Sequence, residues 1–385
     1  MHKLFKISAG CLFVLLALFA ACKSKKEADT LSITLAINDI AQSSAVATIM
    51  LNTSPHEFET IGITFGESPD PEATGQNTLS LTDYSTMKVV LNDLTSAKLY
   101  YVRAFVKTKD GDIQYSNNES FTTITISDLE PTDVVNQYEG YQLVWADEFN
   151  IPGRPSNEWT YESGYVRNNE AQYYTVDNED NAVIKDNCLI ITARKDHAGK
   201  PYTSASLNTR KSKDFMYGRF EIRAKIPTGS GAWPAIWTLG NQDEWPNNGE
   251  IDIMEYYKEG ILANACWGSS KRWTGVWDSS KTPMSHFTDQ DPQWREKFHV
   301  WRMDWDHDNI KLYVDGELLN TIELNKTNNQ GFAGNYENPF RYQDDNFGHY
   351  ILLNLALGGD NGGPIDNSLF PMEYKIDYVR VYQAK

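Results

Sequence analysis

Cysteine is scarce in this chain, with four in 385 residues. Two of them, Cys11 and Cys22, belong to the extreme N-terminus, which leaves Cys188 and Cys266. No C-x-x-C pair and no histidine cluster is present, so a disulfide scaffold and a cysteine- or histidine-built zinc site are excluded. Cys188 and Cys266 sit in strand-like runs, "CLIITA" and "NACW". Buried free thiols are expected there, with a single disulfide as the alternative. Basic residues are also in short supply: 35 Lys and Arg face 52 Asp and Glu, a net charge of −17. That field argues against nucleic acid or an anionic membrane surface as a partner and disfavours strongly anionic polymers. The glycine-rich run "LNLALGGDNGG" (353–363) lacks a following GK[ST], so it reads as a loop and not as a phosphate cradle. Convincing helical periodicity is rare throughout.

What is abundant is the aromatic ring, at 12% of residues with 11 Trp, 21 Tyr and 16 Phe. These rings fall in short β-rich runs. At the N-terminus, Lys3 and Lys6 precede an apolar stretch, Cys11 to Phe19, too short to span a bilayer comfortably. "LFAAC" ends at Cys22 and resembles a bacterial lipobox. The resemblance implies a signal peptide over 1–21, cleavage before Cys22, lipidation of its thiol and a polar tether over 22–30. The expected location is the bacterial cell envelope, with the chain held at a membrane face by lipid.

Residues 31–126 form a unit of their own. Short β-rich runs such as "AVATIML" and "TIGITFG" are separated by turn signals such as "SPDPEATG". This predicts a small β-sandwich. "LTSAKLYYVRAFVKTKDG" (94–111) resembles a fibronectin type III domain, with Tyr100 or Tyr101 where such folds pack a tyrosine. Residues 127–139 read as a linker, and 140–385 as a second all-β domain.

Within that domain one stretch is chemically unusual. "NNGEIDIMEYY" (247–257) places Glu250, Asp252 and Glu255 among residues that seek burial. Ile251 and Ile253 alternate with Glu250 and Asp252, which is strand period two. Glu250 and Asp252 therefore share a face, whereas Glu255 falls on the opposite one in a regular strand. A β-bulge near Ile253 and Met254 restores the parity and lines all three acids along one face. The outer two backbones then lie roughly 13 Å apart, at ~3.3 Å per residue. Side chains leaning inward would close that to the ~5–5.5 Å of a retaining glycosidase pair. A solvated edge strand and a calcium site are the competing uses of three acids. Trp233, Trp237 and Trp245 crowd the acids in sequence, and rings beside paired carboxylates suit sugar binding.

"GAWPAIWTLGNQDEWPNNGEIDIMEYY" (231–257) resembles the catalytic core of glycoside hydrolase family sixteen, in its laminarinase-like branch. The likeness extends over about 140–385 through "LVWADEFN", "RNNEAQYYT", "FMYGRFEIRAKIP", "VWRMDWDHDNIKLYVDGE" and "IDYVRVYQ". It implies a β-jelly-roll sandwich with a concave cleft and a retaining endo-β-glucanase acting on β-1,3-glucan or mixed-linkage β-1,3/1,4-glucan. Glu250 would be nucleophile, Glu255 acid/base, and Asp252 their helper. Trp233, Trp237 and Trp245 would stack on sugars, with Asn168, Arg210 and Trp267 as further contacts. No catalytic cofactor is implied. A structural calcium is implied at Asp377, with Glu148 as a weaker partner. A monomer is expected. The strand after the signature, "NACWGSSKRWTGVW" (264–277), departs from the family in lacking a histidine, and Trp267 occupies that neighbourhood. This leaves two alternatives open: a hydrolase of the same family acting on a marine galactan, and a non-catalytic glycan binder on the same fold.

Overall fold

A computed structural model describes residues 31–385 except 42, 75–76, 83, 125–127 and 342–345. The expected signal peptide, Cys22 and the expected tether lie outside the described residues. No helix among the described residues is long and apolar enough to cross a membrane.

Residues 33–122 form two sheets. Ile33–Asn38, Ala45–Leu51 and Lys88–Leu91 make one of them. Thr60–Gly66 and Leu99–Lys107 lie at the centre of the other. Their inward positions build a separate core around Ile49, Ile61, Ile63, Leu91 and Val102. Tyr100 is buried in it, stacked on Phe121, and its hydroxyl accepts from the Thr95 amide at 2.9 Å. A tyrosine tied back to nearby backbone is the corner device of such sandwiches.

The larger domain is a sandwich of a seven-stranded and a ten-stranded sheet. Across the seven-stranded sheet the order is Thr160–Tyr161, Ser206–Asn208, His349–Leu357, Ala232–Gly240, Glu250–Tyr257, Gly260–Gly268 and Gly275–Pro283. Period-two patterning drives the opposing sheet. In His299–Trp305 every second residue is buried, which sends Trp301, Met303 and Trp305 into the shared core. Alternate residues of the acid strand, Ile251 and Ile253, reach the same core from the other side.

The linker is a strap on the outer face of the ten-stranded sheet. That face carries four charged residues with almost no exposure: Glu221, Arg223, Asp377 and Arg380. Buried charges need partners. Arg223 Nη1 meets Asp377 at 2.6 Å and donates to the Glu130 carbonyl at 2.8 Å. Asp377 accepts from the Thr132 amide at 3.2 Å. Arg380 holds Glu148 through two bonds of 2.9 and 2.7 Å and reaches the Val134 carbonyl at 2.8 Å. Tyr138 donates its hydroxyl to Glu221. These contacts bear on the calcium expectation. Asp377 and Glu148 each already face a guanidinium, and no cluster of three metal-ligating side chains exists among the described residues. The residues present do not fit a calcium ion. Cys188 and Cys266 are both free and buried.

Candidate active site

The acid strand is bulged where the alternation required it. Asp252 pairs with Asn264 on the next strand, and Glu255 pairs with Leu262. Three steps on the acid strand therefore match two on its neighbour. On the other side Met254 faces Ile236 and Asp252 faces Trp237, so Ile253 is the residue skipped. The bulge brings Glu250, Asp252 and Glu255 to one face. All three line a cavity of about 560 Å³ on the face of the seven-stranded sheet that carries them.

Each acid has its own donor. The Trp245 indole N–H donates to Glu250 Oε2. The Trp233 indole donates to Glu255 Oε1 at 2.7 Å. The Asn264 amide bridges Asp252 Oδ2 at 3.1 Å and Glu255 Oε2 at 3.5 Å. Donors aimed at a carboxylate favour its charged form, but burial and mutual repulsion oppose them. Burial and the Asp252 charge push Glu250 well above the ordinary carboxylate range, against the pull of Trp245. Burial pushes Asp252 up to about 6, with Asn264 and Glu250 holding it down. Burial, then the Asp252 charge, pushes Glu255 up to about 8. Three like acids buried in one cleft thus resist ionising together, and their titrations belong to the group.

A second polar layer fixes the aromatic floor. The Trp237 indole donates to Asn354 Oδ1 at 2.7 Å, and the Asn354 amide donates to the Tyr174 hydroxyl at 3.0 Å. Tyr174 donates in turn to Glu170 at 3.2 Å, which also accepts from Gln172 at 2.7 Å. The Arg167 guanidinium stands 5.0 Å from the Trp237 ring, a cation–π distance, while paired to Glu162. Asn168 and Glu170 reach the cavity from the loop before Tyr173.

Of the expected sugar contacts, Trp233, Trp237, Trp245 and Asn168 line the cavity with the three acids. Trp267 does not. It alternates with Cys266 and points into the domain core, so its expected cleft role is corrected to packing. Arg210 is exposed, lies outside the cavity lining and stands 5.5 Å from the Tyr350 ring. Its place by the acids is taken by Arg167. The sequence reading missed Arg167, Asn264 and Asn354. Asn264 was findable: counted back from the Tyr257–Gly260 hairpin pair and shifted by one residue at the bulge, it falls opposite Asp252.

Comparison with known proteins agrees with this geometry. The model for glycosyl hydrolases family 16 matches residues 169–343. The β-glucanase of Rhodothermus marinus is 35% identical over 254 residues, which is 63% of this chain and 85% of that one. The chain belongs to glycoside hydrolase family sixteen. A glucan endo-1,3-β-glucosidase A1 of Niallia circulans is 34% identical over 279 residues, covering 66% of this chain but only 39% of that longer protein. The crystal structure of the laminarinase from Rhodothermus marinus superposes with a TM-score of 0.55 at 33% identity, over 64% of this chain and 98% of that one. Family sixteen thus accounts for the second domain, and the all-β jelly roll with its acid-lined cleft is that of a glycoside hydrolase.

Proposed function

We propose that the chain is a retaining endo-β-glucanase that hydrolyses β-1,3-glucan or mixed-linkage β-1,3/1,4-glucan by double displacement. One observation carries the reading. A single bulged strand presents two glutamates and an intervening aspartate to one aromatic cleft, and each glutamate has a dedicated indole donor. A glycan binder needs the aromatic floor but not the paired acids. Relatives named as β-glucanases and laminarinase point to glucan as the chain that fills the cleft.

In the first step Glu250 attacks the anomeric carbon while the bond to the leaving oxygen breaks. Glu255 gives its proton to that oxygen. The proton shared by Glu250 and Asp252 sits on Asp252 at this moment, which leaves Glu250 charged and hydrogen-bonded from both sides. In the second step Glu255, now ionised, takes a proton from water. The water oxygen bonds to the anomeric carbon and Glu250 departs. Two inversions give net retention. Among the described residues no element closes one end of the cleft into a pocket, which suits attack within a chain.

Laminarin, barley β-glucan and lichenan should yield new reducing ends under a reducing-sugar assay, and agarose and carrageenan should not. Nuclear magnetic resonance of the first product formed should show the β-anomer. An α-anomer would mean inversion and would refute the double displacement. Activity confined to agarose or carrageenan would move the substrate to a galactan.

The N-terminal sandwich is proposed to be a fibronectin type III-like spacer, a reading supported by the packed, backbone-tied Tyr100. The lipobox-like run to Cys22 supports anchoring to the bacterial envelope by lipid. Cys22→Ser should move the protein from the membrane fraction to the soluble one, since acyl chains are the strong tether. Unchanged fractionation would overturn the anchor.

A further inference from the structure

The edge of the cleft sheet carries a row that the chemistry above does not use. In Gly275–Pro283 the residues Trp277, Ser279 and Lys281 are exposed, while Val276, Asp278 and Ser280 between them are less so. The register aligns this row with the catalytic one. Glu250 faces Cys266, which faces Trp277. Asp252 faces Asn264, which faces Ser279. Glu255 faces Leu262, which faces Lys281. The edge row therefore repeats the order of the acids two strands away, about 10 Å at a strand spacing of ~4.8 Å. Trp277 and Ser279 line the same cavity as the acids. The Trp277 side chain keeps 45% of its surface exposed, a large ring offered to the cleft. Lys281 forms no ion pair among the described residues, and its ammonium lies 5.0 Å from the ring of Tyr257, another cavity residue.

We propose that Trp277, Ser279 and Lys281 form the acceptor subsite that holds the second sugar of the leaving fragment and sets that fragment's length. The proposal rests on the glucanase reading. A polysaccharide lies with one face toward Glu250 and the other toward Glu255, so it runs across the strands and not along them. One strand spacing is close to the advance of one pyranose. On this side of the acid strand only two strands remain, and among the described residues none pairs beyond the edge. On the other side four strands follow.

The polarity follows from the reaction sequence. After the first step the donor sugar stays bonded to Glu250, while the leaving fragment departs and water replaces it. The side crowded with polar groups, Arg167, Asn168, Glu170 and Asn354 around Trp237, suits the part that stays. The short, open edge suits the part that leaves. Trp277 supplies a stacking face there, and the Ser279 hydroxyl and Lys281 ammonium supply hydrogen bonds to sugar hydroxyls.

Two substrates separate the subsite from a packing role. Laminarihexaose tagged at its reducing end fills both sides of the cleft. 4-Nitrophenyl β-laminaribioside fills the donor side and leaves the second acceptor position empty. The wild type should release mainly tagged disaccharide from the hexaose. Trp277→Ala should lower kcat/KM on the hexaose about tenfold and spread the tagged products over several lengths. It should leave kcat/KM on the aryl glycoside unchanged. Equal losses on both substrates would mean a structural role, and no loss on either would mean no subsite. A change confined to the untagged, non-reducing products would reverse the polarity and overturn the proposal. Wild-type inactivity on both substrates would instead sink the glucanase reading and the subsite with it.

Discussion

Replacing Glu250 with alanine is expected to lower kcat on soluble β-glucan by on the order of 10⁴–10⁶-fold, the scale seen when a nucleophile is deleted. The loss is large because no neighbour can substitute. Asp252 lies on the same face but is tied to Asn264, and Glu255 is held by Trp233 on the far side of the bulge. The fold should survive. Glu250 is one of three repelling acids in the cleft, so its removal relieves charge there. Azide tests the role directly. In Glu250→Ala the space left by the carboxylate admits a small anion on the face from which Glu250 attacked. With an aryl β-glucoside as donor, azide nitrogen should bond to the anomeric carbon as the aryl oxide leaves, giving an α-glycosyl azide. A β-azide, or a variant keeping a tenth of its activity without azide, would remove Glu250 from the role. Asp252→Asn should be impaired far less, because an amide still donates to Glu250.

The acid strand was readable because its problem is local. Three acids with offsets of two and five among isoleucines admit a shared face only through a bulge, and the skipped residue is Ile253. Trp233 and Trp245 were readable as cleft rings because they lie within the run 231–257 that carries the signature, but their indole bonds to the acids were not. Trp267 was misplaced because its face depends on the hairpin between the two strands. Counting from the Tyr257–Gly260 pair across the bulge sends Cys266 to the acids and Trp267 to the core. The strap was the least readable element. Its polar composition describes a linker, and its partners are far off in sequence: Thr132 meets Asp377 across 245 residues. The calcium expectation meets the same long-range fact. Asp377 alone reads as a cation ligand, and only the pairing of Arg223 with Tyr378 in the sheet shows that a guanidinium arrives beside it. Arg167 was likewise hidden, since its value comes from standing over Trp237, a residue 70 positions away in the same cleft.

Glu255 is the second residue whose removal should be decisive, and its pKa makes the outcome depend on pH and on leaving group. Burial and the nearby Asp252 charge raise it to about 8, so it is protonated at neutrality as a general acid must be. For the natural chain, kcat/KM should fall as pH rises through the upper macroscopic pKa of the acid group, because that proton is then lost. Glu255→Gln should cost on the order of 10²–10⁴-fold on β-glucan, where an alkoxide leaves poorly without protonation. On an aryl glycoside with an acidic phenol the first step needs little help, so the loss should be much smaller and the alkaline limb of kcat/KM should disappear. A full limb persisting in Glu255→Gln would assign that proton elsewhere. Stability supplies an independent reading with the opposite sign. The folded protein holds this proton more tightly than the unfolded chain, whose carboxyl titrates near 4.5. Folding is therefore favoured below that value, and the advantage is lost progressively as pH rises from 4.5 towards about 8. Glu255→Gln removes a group that is costly to ionise in place, so its Tm should exceed that of the wild type at the alkaline end of this window and match it at the acid end. A variant less stable at both ends would mean that Glu255 serves the packing of the strand, not the passage of a proton.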